Sequence, residues 1–149
     1  MPQRTIWMHG VNMRVEYPNR LTSVRATGPF VRIEGARGQN TWLHFPVPTP
    51  AVLDGVNMRI EGAIVSFRTR DHGCVHEVII YDGESRIAEH MDLDLRGDHL
   101  EHRFDVPGNP EIHRGINVVL GVRFDEAAPD VRSMQIEVIG VALEYSGTD

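Results

Sequence analysis

The sequence has no lysine: all fifteen basic residues are arginine. The planar guanidinium fork suits bidentate contact with carboxylates and anions. In solvated ion pairs the two cations serve alike, so the bias reads as codon usage before function. Cys74 is the single cysteine, which excludes an internal disulfide and fits a reducing compartment. No run of about 18 apolar residues occurs, which excludes a membrane-spanning helix. The stretch MPQRTIWMHG at the start has neither an apolar h-region nor a small-residue cleavage site. No secretory signal is read there, and a cytoplasmic location is expected. A basic face is missing too: the formal charge is −6 over 149 residues, which argues against nucleic acid as a partner. No long window carries helical periodicity.

What the chain does have is alternation. Apolar residues make up 41% and charged residues 24%, ordinary for one globular domain, here expected to span 1–149. Val11, Met13, Val15 and Tyr17 alternate with Asn12, Arg14 and Glu16, and Val56, Met58 and Ile60 with Asn57, Arg59 and Glu61. Ile116, Val118, Leu120, Val122 and Phe124 form one face of a further segment. Period-two patterning of this kind means half-buried antiparallel strands. Further strands are expected near 29–34, 40–46, 63–70, 75–82, 100–106 and 131–145, with turn signals such as Asp82-Gly83 and Pro107-Gly108 between them. The stretch 85–95 is the weakest of the strand readings, with a short helical turn or a loop as the alternative. In the last segment the apolar parity switches beside Gly140, which predicts a β-bulge, and Gly62 marks a second candidate. The Pro-spaced FPVPTP, 45–50, is expected to run extended along a sheet edge or to cross between sheets. The fold read from this is all-β: an antiparallel two-sheet, jelly-roll-like sandwich, with a closed β-barrel as the alternative.

Nearly the same seven letters occur twice, GVNMRVE at 10–16 and GVNMRIE at 55–61. The similarity ends there, so this is no solenoid repeat. Read as strands, both copies point Arg and Glu outward. Antiparallel pairing would set Arg14 opposite Glu61 and Glu16 opposite Arg59, each pair contributing roughly 0.2–1 kcal/mol. The expectation is that the copies are sheet neighbours or each meet a symmetry mate.

Candidate chemistry begins with two Trp-x-His pairs. Trp7 and His9, and Trp42 and His44, each share a strand face. Each pair offers an aromatic plane beside a titratable ring that could stack on a sugar or nucleobase, or supply imidazole ligands. The alternative is a core Trp beside a His bonded to backbone. Weaker metal candidates are His72, Cys74 and His76, residue types that bind zinc but at a spacing too long for one ion on a flat strand. Asp98 and His99 close an acidic stretch from Asp92 that has oxygen ligands for calcium but not the EF-hand spacing, and His102 follows it. No cofactor is predicted from these patterns, with zinc or calcium as remote options. Signatures of nucleophilic catalysis, phosphate loops and dinucleotide binding are missing.

At Trp7-x-His9-Gly10, Val15-Glu16 and Asn40-x-Trp42-x-His44-Phe45-Pro46-x-Pro48-Thr49-Pro50 the chain resembles an uncharacterised family of small bacterial proteins. The resemblance continues through Asp82-Gly83 and Gly97-Asp98-His99. It implies a single all-β domain and brings no activity. The function read from the sequence is therefore a non-enzymatic, self-associating sandwich, a homo-oligomer that binds a small ligand, carbohydrate among the options. Two alternatives stand beside it. One is a small metal-dependent or cavity-type barrel enzyme whose histidines, His9 and His44 with one of His76, His99 or His102, converge. The other is a structural subunit of a larger bacterial assembly.

Overall fold

Among residues 3–148, which the computed structural model describes, the alternation becomes twelve strands in two antiparallel sheets. They are β1 (Arg4–His9), β2 (Arg14–Val15), β3 (Leu21–Ala26), β4 (Val31–Gly35), β5 (Asn40–Val47), β6 (Val52–Leu53), β7 (Val56–Thr69), β8 (Gly73–Asp82), β9 (Ser85–His90), β10 (Asp98–Asp105), β11 (Ile116–Phe124) and β12 (Gln135–Gly147). One sheet runs β10-β7-β12-β4-β3, with β1 added on β12 and β6 on β7; the other runs β2-β5-β11-β8-β9. Neither closes on itself, so the structure is an open sandwich, and the barrel alternative is set aside. Within the described residues there is no α-helix, and the short 3-10 turns at Gly10–Asn12, Pro18–Arg20 and Arg132–Met134 are the helical elements.

The core lies between the sheets. Leu43, Phe45 and Val47 of β5, and Ile116, Val118, Leu120, Val122 and Phe124 of β11, face Met58, Ile60, Val65 and Phe67 of β7 and Ile136, Val138, Val141 and Leu143 of β12. Each fully buried Leu, Ile or Phe contributes about 1.5–3 kcal/mol, which is why the inward parity of these strands is fixed. The predicted bulge is found where β12 passes Gly140: its register against β7 slips between Val138 and Gly140. A second slip, between Glu144 and Tyr145, falls opposite Gly62 and Ile60. The Pro-spaced segment leaves the five-stranded sheet after Val47 and enters β6 of the other sheet, so it is a crossing.

Of the alternatives for 85–95 the strand is found: Ser85–His90 is β9, paired with β8. It is an edge strand on which Ala88 is the buried residue, so it carries little apolar alternation. One expectation is corrected: the repeated heptad does not pair with itself. The first copy begins with the 3-10 turn Gly10–Asn12 and reaches β2 only at Arg14, in the five-stranded sheet, whereas the second copy opens β7 in the other sheet. Gly10 explains the difference. A Cβ there would lie 2.0 Å from the Val138 carbonyl oxygen, so glycine is required for this close backbone approach. The Nδ1 of His9 accepts from the Val11 N–H at 3.1 Å and caps the turn. The outward charges find other partners: Arg32 and Arg68 flank Glu137 across three strands, Arg103 reaches Glu144, and Arg59 meets Glu111.

Candidate functional site

Strand pairing places the outward side chains of the five-stranded sheet in rows. Trp42, Gly121 and Glu77 form one row; His44, Val119 and Ile79 the next; Pro46, Asn117 and Tyr81 the third. Val119 and Ile79 are only 3% and 5% exposed although they face away from the core. They form the floor of a cleft of about 460 Å³ lined also by Glu16, Gly83, Glu84, Arg86 and Met91. That volume lies within the range of small-ligand sites.

The polar groups of the cleft are held by defined contacts. The Trp42 indole N–H donates to Glu77, a carboxylate only 7% exposed. The Glu77 side chain crosses the central strand over Gly121, where an added Cβ would lie 2.3 Å from its Cγ. Tyr17 packs edge-on against Trp42 at 6.1 Å, and the Arg20 guanidinium covers Tyr17 at 3.9 Å. His44 ties the bend after β2 to β11. Its Nε2–H donates to Glu16 at 2.9 Å, and its Nδ1 accepts from the Asn117 amide at 3.1 Å. With the amide so oriented, Asn117 Oδ1 is buried and accepts no hydrogen bond among the described residues. Such an acceptor is costly unless a donor reaches it.

At the far end Tyr81 accepts from Arg86 at 3.0 Å, and Arg86 also meets Glu89 at 3.0 Å. The adjoining Asp82 anchors this end. It accepts from the backbone N–H groups of His113, Arg114 and Gly115 at 2.8, 2.8 and 3.0 Å. Burial pushes its carboxyl up, but the three N–H groups outweigh burial and hold it below the usual carboxylate range. The lining carries three carboxylates, Glu16, Glu77 and Glu84, against the single guanidinium of Arg86.

The other sequence candidates lie elsewhere. Trp7 and His9 are on the seven-stranded sheet, beside a shallow depression shared with Ser66, Leu100 and Ile139. The Trp7 ring lies over Gly140 and remains 47% exposed. The two Trp-x-His pairs therefore occupy opposite outer faces, and His9 and His44 do not converge. His72 contacts Asp125 at 3.1 Å, Cys74 is buried, and burial lowers the pKa of the half-buried His76. His99 and His102 face each other at 3.3 Å on the bulged edge strand β10. The acidic stretch is occupied by Arg96, which pairs with Asp94 and Asp125. Among the described residues no three His, Cys, Asp or Glu side chains meet as metal ligands. No helix is long and apolar enough to cross a membrane. Glu16, Glu77, Tyr81, Glu84, Arg86 and Asn117 were not read from sequence as site residues. The readable signal was Glu77, a carboxylate set inside the apolar run from Cys74 to Ile80.

The fold and cleft define a two-sheet β-sandwich with a ligand-sized groove on the outer face of one sheet. The chain belongs to the family described as Family of unknown function (DUF6623), whose model matches residues 1–149. A search of curated proteins found no match. Among solved structures, the chain is similar to a low-affinity xylan-binding module, CBM86, from the gut symbiont Roseburia intestinalis (TM-score 0.56, 11% identity, 96% of each chain covered). It is also similar to CBM29_1, a family 29 carbohydrate-binding module from Piromyces equi (TM-score 0.52, 6% identity, 97% and 91% covered). A third is the Stig cyclase Fisc from Fischerella sp. TAU, solved with (3Z)-3-(1-methyl-2-pyrrolidinylidene)-3H-indole (TM-score 0.53, 10% identity, 100% and 91% covered). At these identities the likeness is one of fold.

Proposed function

We propose that this protein is a non-enzymatic carbohydrate-binding module that holds its ligand in the Trp42 cleft. The observation that carries the reading is the composition of one surface. Trp42 and Tyr81 supply aromatic faces, Ile79, Val119 and Met91 an apolar floor, and Glu16 and Glu77 acceptors for hydroxyl groups. A sugar ring presents the same combination, an apolar face edged by donors. The excess of carboxylates in the lining favours neutral or basic glycans over uronates. Two solved carbohydrate-binding modules share the fold, which is consistent with the reading and does not by itself assign it.

The test is a glycan array followed by calorimetry on the best binder, with wild type and Trp42→Ala compared. Burying an aromatic face is worth about 1.5–3 kcal/mol, so the variant should bind at least about tenfold more weakly at an unchanged circular dichroism spectrum. Binding elsewhere on the molecule would leave the variant at full affinity. A second reading, a cavity-type enzyme, is favoured by one feature: Glu77 is a buried carboxylate facing the same cleft as Glu16. Mass spectrometry of the bound glycan after prolonged incubation separates the two, since a binding module returns it intact.

A further inference from the structure

Resting on the carbohydrate reading, we infer that the cleft takes a stretch of several rings of a glycan chain, laid diagonally across the strands, rather than a single sugar. The register supplies the ruler. Trp42 is level with Glu77 through Gly121, and Tyr81 lies four residues further along β8 and two strands away from β5. With about 3.4 Å per residue along a strand and about 4.8 Å between strands, the two aromatic positions are on the order of 16 Å apart. One sugar ring cannot touch both.

The ground between them is continuous. It is paved by His44, Val119 and Ile79, with Asn117 in the Tyr81 row. Each end is separately fixed. Trp42 is held by its bond to Glu77 and the edge of Tyr17, and Tyr81 by Arg86 and by the Asp82 anchor next to it. Two rigid aromatic stations joined by an apolar floor make a site in which the second station contributes only once a ligand is long enough to reach it. Occupying both behaves as linked binding, in which the second contact gains from the first.

The experiment is calorimetry with xylo-, cello- and manno-oligosaccharides of one to six rings, using wild type, Trp42→Ala, Tyr81→Ala and Tyr81→Phe. In the series that binds, affinity should rise at least about tenfold between one ring and four and then level off. Trp42→Ala and Tyr81→Ala should each remove most of that rise, while Tyr81→Phe, which keeps the ring, retains it. Equal affinity for one ring and six would overturn the inference and leave the carbohydrate reading standing. So would a Tyr81→Ala variant that keeps its native dichroism spectrum and full affinity for long chains. If no sugar of any length binds in any series and the glycan array is also blank, the carbohydrate reading fails and the inference falls with it.

Discussion

Asp82 shows how a residue that touches no ligand can set a site. Its carboxylate gathers three backbone N–H groups from residues 113–115 and so fastens the loop before β11 to the end of β8, beside Tyr81. Replacing it by Asn leaves an amide that cannot accept from all three, and a buried donor left unsatisfied costs about 1–3 kcal/mol. Urea unfolding at neutral pH should therefore show Asp82→Asn less stable by about 2 kcal/mol. The pH dependence has a definite sign. The folded carboxyl titrates below its ordinary 3.8, so its contribution is complete above that pH and fades as pH falls toward the folded value. The gap between wild type and variant should then narrow in acid; a gap that stays constant would mean the N–H groups are not what Asp82 supplies. At this scale the sequence was partly legible. Trp42 and His44 stood out by type and spacing, whereas Asp82 and Asn117 gain their roles from loops and strands distant in the chain, which spacing cannot reveal.

Elements were more legible than their partners. Alternation located β5, β7, β8, β11 and β12, because burying one face leaves a period-two trace. β1, β3 and β9 left a fainter one, being short strands with little buried apolar surface. Pairing was hidden because it is non-local, and it is pairing that creates the cleft. Glu77 reaches Trp42 only because the strand between them presents Gly121, and in the seven-stranded sheet Arg103 of β10 likewise crosses Gly62 of β7 to reach Glu144 of β12. Gly121→Ala should keep the sandwich but push Glu77 aside, seen as an altered Trp42 environment in fluorescence together with weakened ligand binding; unchanged fluorescence and affinity would show that the crossing is incidental. The β10 edge gives a second test. A bulge with Glu101 at φ +61° brings His99 and His102 onto one side. His99 donates its Nε2–H to the Arg96 carbonyl at 2.8 Å, leaving Nδ1 to accept from His102. Burial, then the neighbouring His99, lowers the His102 pKa from 6.5. The unfolded chain thus binds the proton first, and the fold loses stability as pH drops below about 6.5. His102→Gln should flatten that part of the stability-versus-pH curve, and an unchanged slope would place the loss elsewhere.

For the whole molecule, the sandwich separates two outer faces by a core about 10 Å thick. Trp42 lines the cleft on one face, while Trp7 lies over Gly140 on the other. Among the described residues they share no hydrogen-bond partner, and groups so placed act independently, adding within about 0.3–0.5 kcal/mol. Trp7→Ala should therefore leave cleft affinity within about twofold of wild type. The double variant with Trp42→Ala should show the sum of the single effects on stability. Calorimetry and thermal unfolding of the four proteins measure both. Loss of cleft binding in Trp7→Ala alone would mean that the two faces are coupled through the bulged β12, whose residues support Trp7 on one side and the shared core on the other. Such coupling would need a core with two packings. Phe45, Leu120, Val141 and Leu143, each fully buried, fill the space between the faces, and close-packed cores of this kind resist a second arrangement.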